Sequence, residues 1–333
     1  MKVWKRALPV WLLILVMLLT ACGTPSQSDQ PESPEGWRKT YEETGAYLQE
    51  QDAFSAGSIG GEWAVIGLSR AGLLSEEAAQ NYKISAEDYV KQAGSVRLHH
   101  AKSTENSRTI LGLTAAGYDA ANVAGVDLTA GLTDMAYLRA QGINGPIWAL
   151  IALDCHGYDI PQCAGGEEQT TREGLVAEIL ADQCSDGGWA LIGDASDVDL
   201  TAMAVTALVP YLEKSDVKAA VERALTFLSD AQQDDGGFIS WETVNSESCA
   251  QVVVALTALG IDPAADSRFI KNGVSPLDNL CTFACEGGGF RHSDEQTEPD
   301  GMATEQGFYA LVAYDRFQQG MPRLFDMTDI EVK

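Results

Sequence analysis

The chain has 333 residues, with 48 Asp and Glu against 22 Lys and Arg, a formal net charge of −26. That balance excludes a nucleic-acid partner, because phosphate binding needs clustered Lys and Arg. It also excludes a broad electrostatic hold on anionic lipid.

Residues 1–21 read as an export signal. Lys2, Lys5 and Arg6 form the positive start, and Ala7 to Leu19 form an apolar segment too short to span a bilayer. The signal ends in Leu19-Thr20-Ala21-Cys22, which resembles the bacterial lipobox. The resemblance implies cleavage before Cys22 and diacylglyceryl attachment to its sulfur, making the chain a lipoprotein outside the cytoplasm, anchored to the bacterial cell membrane. A plain secretory signal beside a chance cysteine is the alternative. Gly23 to about Gly36 is rich in Ser, Pro, Gln, Glu and Asp and has little to bury, so it reads as a disordered tether. The lipidated linker is placed at 22–40, the folded body at 41–322 and a C-terminal tail at 323–333. A first helix is expected across Trp37 to Gln51.

The body repeats one unit: a glycine turn, an aromatic, an acidic or polar cap, then an apolar, Ala-rich helix. It begins at Gly60-Gly61-Glu62-Trp63 and returns in looser form at Thr104 to Gly117 and at Asn144 to Leu153, where Pro146 sits at a helix start. The fullest copy is Asp182 to Tyr211, in which Gly187-Gly188 allows a tight turn and Asp197 or Asp199 supplies an N-cap carboxylate. Further copies follow at Asp235-Gly236-Gly237-Phe238 and Gly287-Gly288-Gly289-Phe290. The late leucines Leu68, Leu113, Leu153, Leu208, Leu256 and Leu311 are 45, 40, 55, 48 and 55 residues apart, the size of a two-helix repeat. Such units bury their apolar faces by stacking on neighbours. Outer helices fit between them at Val217 to Leu228, where apolar residues recur at helical spacing, and at Thr129 to Ala140 and Ala265 to Ala284. Strand signals are sparse, so the chain reads as all-α and as one domain.

The DGGW and DGGF turns, together with Asp197-Val198-Asp199-Leu200-Thr201-Ala202, resemble the prenyltransferase and squalene-cyclase repeat superfamily over roughly residues 45 to 320. The resemblance implies an α6/α6 toroid, six inner and six outer helices closed into a ring. It also frames the chemistry. Zinc-dependent prenyl transfer needs at least three protein ligands. Here Glu247-x-Cys249 stands alone, since the last unit reads Met302-Ala303-Thr304 and His99, His100, His156 and His292 fall outside the register. The thioester motif of complement-type toroids is missing from the sequence. Class II terpene cyclases use a protonated Asp, which Asp199 matches, although Leu200 replaces the carboxylate that follows it. Glu247 at the equivalent place argues for a repeated structural job instead. The secreted cobalamin carriers share the Asp-x-Thr-Ala-x-Met-Ala helix start seen at Asp199 to Ala204. They close the ligand under a small β domain, for which the chain up to Lys333 leaves no room.

Aligning the inner helices places Trp63, Arg108, Trp148, Met203, Gln251 and Gln306 at equivalent positions, with Trp189, Trp241 and Phe290 at or near turn ends. Trp189, Phe238 and Phe290 are read as packing between helices. The candidate ligand-binding residues are Glu62, Trp63, Arg108, Trp148, Asp199, Trp241, Glu247 and Glu305, with Cys22 for lipidation, no metal site and Asp199 catalytic only in a cyclase. The expected function is non-catalytic binding of a bulky, partly apolar molecule, a corrinoid being one option, or of a protein partner. The alternatives are a class II cyclase and a surface scaffold with a filled ring. Six further cysteines, Cys155, Cys163, Cys184, Cys249, Cys281 and Cys285, permit disulfides in an exported chain or serve as buried apolar thiols.

Overall fold

The structure is a computed structural model that describes residues 36–333 apart from Asp52 and Ser58. The export signal, the lipidation residue Cys22 and the tether up to residue 35 lie outside the described residues.

The turn at Asp186–Trp189 shows how the sequence builds the molecule. Gly187 has φ of +97°, a region that favours glycine, and a Cβ on Gly188 would lie 2.5 Å from Ser196 Cβ. Asp186 Oδ1 accepts from the Gly188 amide at 3.2 Å and the Ser196 hydroxyl at 2.5 Å, which fixes the turn. Trp189 then enters the core with no exposed surface, its amide donating to Thr201 Oγ1 and its indole N–H to the Ile179 carbonyl. Burying a side chain of this size contributes roughly 4–6 kcal/mol before entropy is subtracted. Asp197 accepts from the Leu200 amide at 3.0 Å and so starts helix α8 (Val198–Leu208). The same device starts α10 (Ser246–Ala258) through Asn245 and α12 (Gly301–Gln318) through Asp300.

The other α-helices among the described residues are α1 (Gly36–Gln49), α2 (Glu62–Arg70), α3 (Glu76–Ala93), α4 (Thr104–Ala115), α5 (Met135–Arg139), α6 (Asn144–Asp154), α7 (Arg172–Ala181), α9 (Ser215–Ala231) and α11 (Pro276–Thr282). The even-numbered helices touch in order, α2 to α4, α6, α8, α10 and α12, and α12 returns to α2. They form an inner ring, and Leu68, Leu113, Leu153, Leu208, Leu256 and Leu311 all lie on it, essentially buried. The odd-numbered helices pack outside, each on an inner neighbour. Because an inner helix is covered on every side, α6 is buried continuously from Gly145 to Leu153. The outer helix α9 instead keeps Val217, Val221, Leu225 and Leu228 inward and turns its charges to water.

The C-terminal segment lies across the C-terminal ends of the inner helices. Arg70, at the end of α2, binds Asp329 at 2.6 Å, and Arg316 of α12 reaches the other oxygen of the same carboxylate at 2.9 Å. The Met327 amide donates to the Cys155 carbonyl after α6, and the Lys333 amide to Gly117 after α4. Leu324 and Met327 are buried. One end of the ring is therefore strapped by residues 323–333, while the loops leading into the inner helices surround the opposite, N-terminal end.

Helix α1 (Gly36–Gln49) covers the stretch expected to be the first helix and is held by Trp37, edge-on to Tyr314 at 4.9 Å, and by Arg38, paired with Asp315 at 2.7 Å. Several local expectations differ from the structure. The stretch Thr129–Ala140 is a 3-10 turn (Leu128–Leu132) followed by α5, since Asp134 caps a new helix. Over Ala265–Ala284, Asn272 and Gly273 take positive φ and Ser275 forms a capping box, so only α11 is helical beyond a short 3-10 turn. A two-residue antiparallel hairpin, β1 (Ile239–Ser240) with β2 (Thr243–Val244), precedes α10. Of the two readings of the cysteines, the structure favours thiols over bridges among the described residues. Cys155, Cys163, Cys184, Cys249 and Cys285 are free thiols, and Cys155 and Cys249 sit wholly in the core as small apolar residues. Among the described residues no helix is long and apolar enough to cross a membrane.

Candidate functional site

The centre of the ring is crossed by aromatic rings. Trp63 and Trp148, on α2 and α6, meet at 5.0 Å between ring centroids, and Tyr309 of α12 stands edge-on to Trp63 at 6.1 Å. From the other end, Phe325 of the C-terminal strap reaches Trp148 at 5.8 Å and Tyr309 at 6.3 Å. Gln251 donates to the Tyr309 oxygen at 2.5 Å and to Gln306 Oε1 at 2.8 Å, so the buried phenol and amide satisfy each other. Trp63, Met203 and Gln306 keep partial exposure, and the N-terminal end of the ring is its mouth. The residues one step earlier, Glu62, Ser107, Ile147, Ala202, Ala250 and Glu305, are all buried between helices, as the inner-helix register requires.

The acids of the alignment separate into two groups. Glu62 and Glu305 lie in the seam where α12 meets α2, at 0% and 2% exposure, and not in the mouth. Glu62 accepts from the Gly57 amide at 2.7 Å and lies 3.4 Å from Arg108 Nε. Glu305 accepts from the Gly60 amide. Together they hold the loop before α2. Burial pushes both carboxyls up, Glu305 to about 7 with Glu62 adding to the rise. Arg108 completes this cluster by pairing with Glu105 at 2.8 Å.

The second group faces the mouth. Glu105, Asp199 and Glu247 each occupy the second residue of an inner helix, where the helix dipole favours a carboxylate. Glu105 has Arg108 and the Tyr89 hydroxyl as partners, and Glu247 has His292, whose Nδ1 lies 2.9 Å from both carboxylate oxygens. Asp199 has no base beside it. Its Oδ1 is shielded from solvent, with the Ser248 and Ser240 hydroxyls as its polar neighbours. Asp197 holds the capping role and also accepts from Ser240 at 2.6 Å, so Asp199 is released from it. Burial, reinforced by the Asp197 charge, raises the Asp199 carboxyl to about 7. A protonated carboxyl is therefore at hand at neutral pH, next to a buried hydroxyl.

Trp241 stands apart from the rings at the centre. It occupies the tip of the β1–β2 hairpin at 70% exposure, with positive φ at both Trp241 and Glu242. Such a turn favours Asn or Gly, so an indole here is displayed at a cost of roughly 1–2 kcal/mol. Ile192, 81% exposed, and Ile59, 63% exposed, project from other loops at the same end of the ring. Sequence reasoning placed Trp241 near a turn and missed the apolar rim, since single exposed isoleucines carry no periodic signal.

Neither a protein-family profile nor a curated protein matches the chain. Among solved structures, it is similar to a type II terpene cyclase from Scytonema in complex with geranylgeranyl dihydroxybenzoate, at 14% identity and a TM-score of 0.56, covering 85% of this chain and 98% of that one. It is also similar to an unsaturated glucuronyl hydrolase from Bacillus sp. GL1 that acts in glycosaminoglycan degradation, at 13% identity and a TM-score of 0.53, covering 87% and 98%. At these identities the likeness is one of fold: the chain is an α/α toroid.

Proposed function

We propose that the chain is a lipid-anchored, extracytoplasmic binding protein whose N-terminal mouth takes a bulky, partly apolar ligand or a partner's side chains without catalysing a reaction. The Trp63–Trp148–Phe325 contacts fill the ring centre, which favours the scaffold alternative over a ligand enclosed in the ring and leaves binding to the surface at the N-terminal end. A cyclase must fold an isoprenoid chain inside a dry channel, and here aromatic side chains occupy that place. The N-terminal surface is rimmed by carboxylates and exposed indole and isoleucine, the mixture that small-molecule and peptide sites use. A corrinoid, the ligand of the carriers that the sequence resembles, would lie across this mouth. The first experiment is mass spectrometry of the native molecule that co-purifies with the mature protein, followed by titration with cobalamin and comparison with Trp63→Ala. A micromolar or tighter complex weakened by Trp63→Ala supports the reading, and no capture of any molecule or partner overturns it.

A second reading has one specific observation behind it, the buried Asp199 carboxyl, raised to about 7, in a fold shared with a type II terpene cyclase. Under it, Asp199 gives its proton to a terminal alkene, the carbocation closes rings, and a proton lost from the product restores the acid. Incubation with a geranylgeranyl-bearing phenol then yields an isomer of unchanged mass, and Asp199→Asn abolishes it. Intact substrate after incubation with the parent protein removes this reading.

A further inference from the structure

At the strapped end of the ring, a hollow of about 310 Å³ lies between the C-terminal ends of α6, α8 and α10 and the chain from Arg323 to Thr328. Its volume falls at the lower edge of ordinary small-molecule sites. Ile151, Ala207, Pro210, Val254, Ala258 and Phe325 make its apolar walls. One wall is polar and internally saturated. Asp154 accepts from Arg172 Nε at 2.6 Å and from the Tyr211 hydroxyl at 2.7 Å, while Arg172 Nη2 donates to the carbonyls of Leu153 and Tyr158. These groups shape the hollow and need nothing from a ligand.

Arg323 differs from them. Among the described residues its guanidinium has one carboxylate neighbour, Asp326 Oδ2 at 3.6 Å, which is too long for a hydrogen bond. An adjoining hollow of about 320 Å³ shares Ala258, Arg323 and Leu324, so the guanidinium borders both spaces. A guanidinium carries five donors in a fork that matches a carboxylate.

Acids stand at both ends of the ring. The loops 182–197, 232–245 and 283–300, which lead into the inner helices at the mouth, carry twelve carboxylates and one arginine. The strapped end instead gathers Arg70, Arg172, Arg316 and Arg323 against Asp154, Asp326 and Asp329.

We propose that this cleft is a second binding site, for a small monocarboxylate with an apolar or aromatic body, the carboxylate taken by Arg323 and the body lying on Phe325, Pro210 and Val254. The site is independent of what the mouth binds. Equilibrium dialysis of the full chain against 2-naphthoate, and against the uncharged 2-naphthalenemethanol, tests it. The expected result is one saturable site for the acid and about tenfold weaker binding of the alcohol, from the lost charge-assisted pair. Arg323→Gln, at a partly exposed position with a long ion pair, is expected to remove that preference while leaving the melting temperature unchanged. Ala258→Trp fills the space between the two hollows and abolishes binding of both probes, whereas Trp63→Ala in the mouth leaves both unaffected. Equal affinity for acid and alcohol in the parent protein overturns the proposal, as does naphthoate binding that survives Ala258→Trp.

Discussion

Replacing Glu305 by Gln isolates the electrostatic strain at the point where the ring closes. The carboxyl is 2% exposed, accepts from the Gly60 amide and sits beside Glu62, with its ionisation raised from 4.5 to about 7 mainly by burial. The folded protein therefore holds this proton more tightly than the unfolded chain does. The stability it contributes is complete below pH 4.5 and is lost as the pH climbs through 7. Moving a carboxyl from 4.5 to about 7 corresponds to roughly 3 kcal/mol, the burden on the folded state by pH 8. A glutamine keeps the oxygen that accepts from Gly60 and carries no charge, so Glu305→Gln is expected to be up to about 3 kcal/mol more stable than the parent at pH 8 and within about 0.5 kcal/mol of it at pH 4.5. Urea denaturation followed by circular dichroism at both pH values measures the difference directly. Identical midpoints for the two proteins at pH 8 would refute the reasoning. So would a glutamine variant whose advantage is as large at pH 4.5 as at pH 8, because that gain could not come from ionisation.

Three further outcomes follow from the geometry. Phe325→Ala removes the ring that the strap inserts against Trp148 and Tyr309, and at a partly buried site it is expected to cost about 2 kcal/mol, seen by calorimetry as a fall in melting temperature of about 4 °C. Gly188→Ala places a methyl 2.5 Å from Ser196 Cβ and 2.7 Å from Thr201 Oγ1, so it is expected to destabilise by about 2 kcal/mol or more and to perturb the near-ultraviolet signal of the neighbouring Trp189. Trp241→Asn, at a left-handed position with an exposed side chain, is expected to raise stability by about 0.5–1 kcal/mol while weakening capture at the mouth. A fall in stability on that replacement would mean that the indole packs where the structure leaves it in solvent.

The repeat was legible because turn chemistry and burial act locally. Gly187-Gly188, the aromatic behind them and a capping Asp are recognisable in any order of the units, and inner helices such as α6 and α10 are largely apolar. The outer layer was less legible. Asp134 and the pair Asn272-Gly273 interrupt two stretches whose apolar spacing alone reads as continuous helix. Residues 323–333 repeat nothing, so their place across the ring left no periodic trace. Cysteine count left two readings open, since parity permits bridges, and position decides between them: Cys155 at the end of α6 and Cys249 in α10 fill the core as thiols.

The acids show where register stops being informative. Aligned positions predicted one rim containing Glu62, Asp199, Glu247 and Glu305, yet a single step along an inner helix turns a side chain by about 100°. That rotation separates the mouth from the seam, and it sends Glu62 and Glu305 between helices while Glu105, Asp199 and Glu247 face the opening. Within the mouth, identical positions still differ by what the neighbouring loop supplies. The loop before α12 brings His292 to Glu247, and α4 carries Arg108 for its own Glu105. The hairpin before α10 brings Ser240, which Asp197 takes. Asp199 is left beside a second acid and no base, so its ionisation rises while its equivalents remain paired. A repeated structural role explains an acid at this place in three units, and Asp199 differs from the other two in having hydroxyls and a second acid as neighbours in place of a base. That difference makes Asp199 the position at which binding and catalysis can be told apart. If the residue only serves the fold, Asp199→Asn should gain stability above pH 7 and bind the mouth ligand as the parent does. Loss of binding or of product with the fold intact would place Asp199 in direct contact with the ligand.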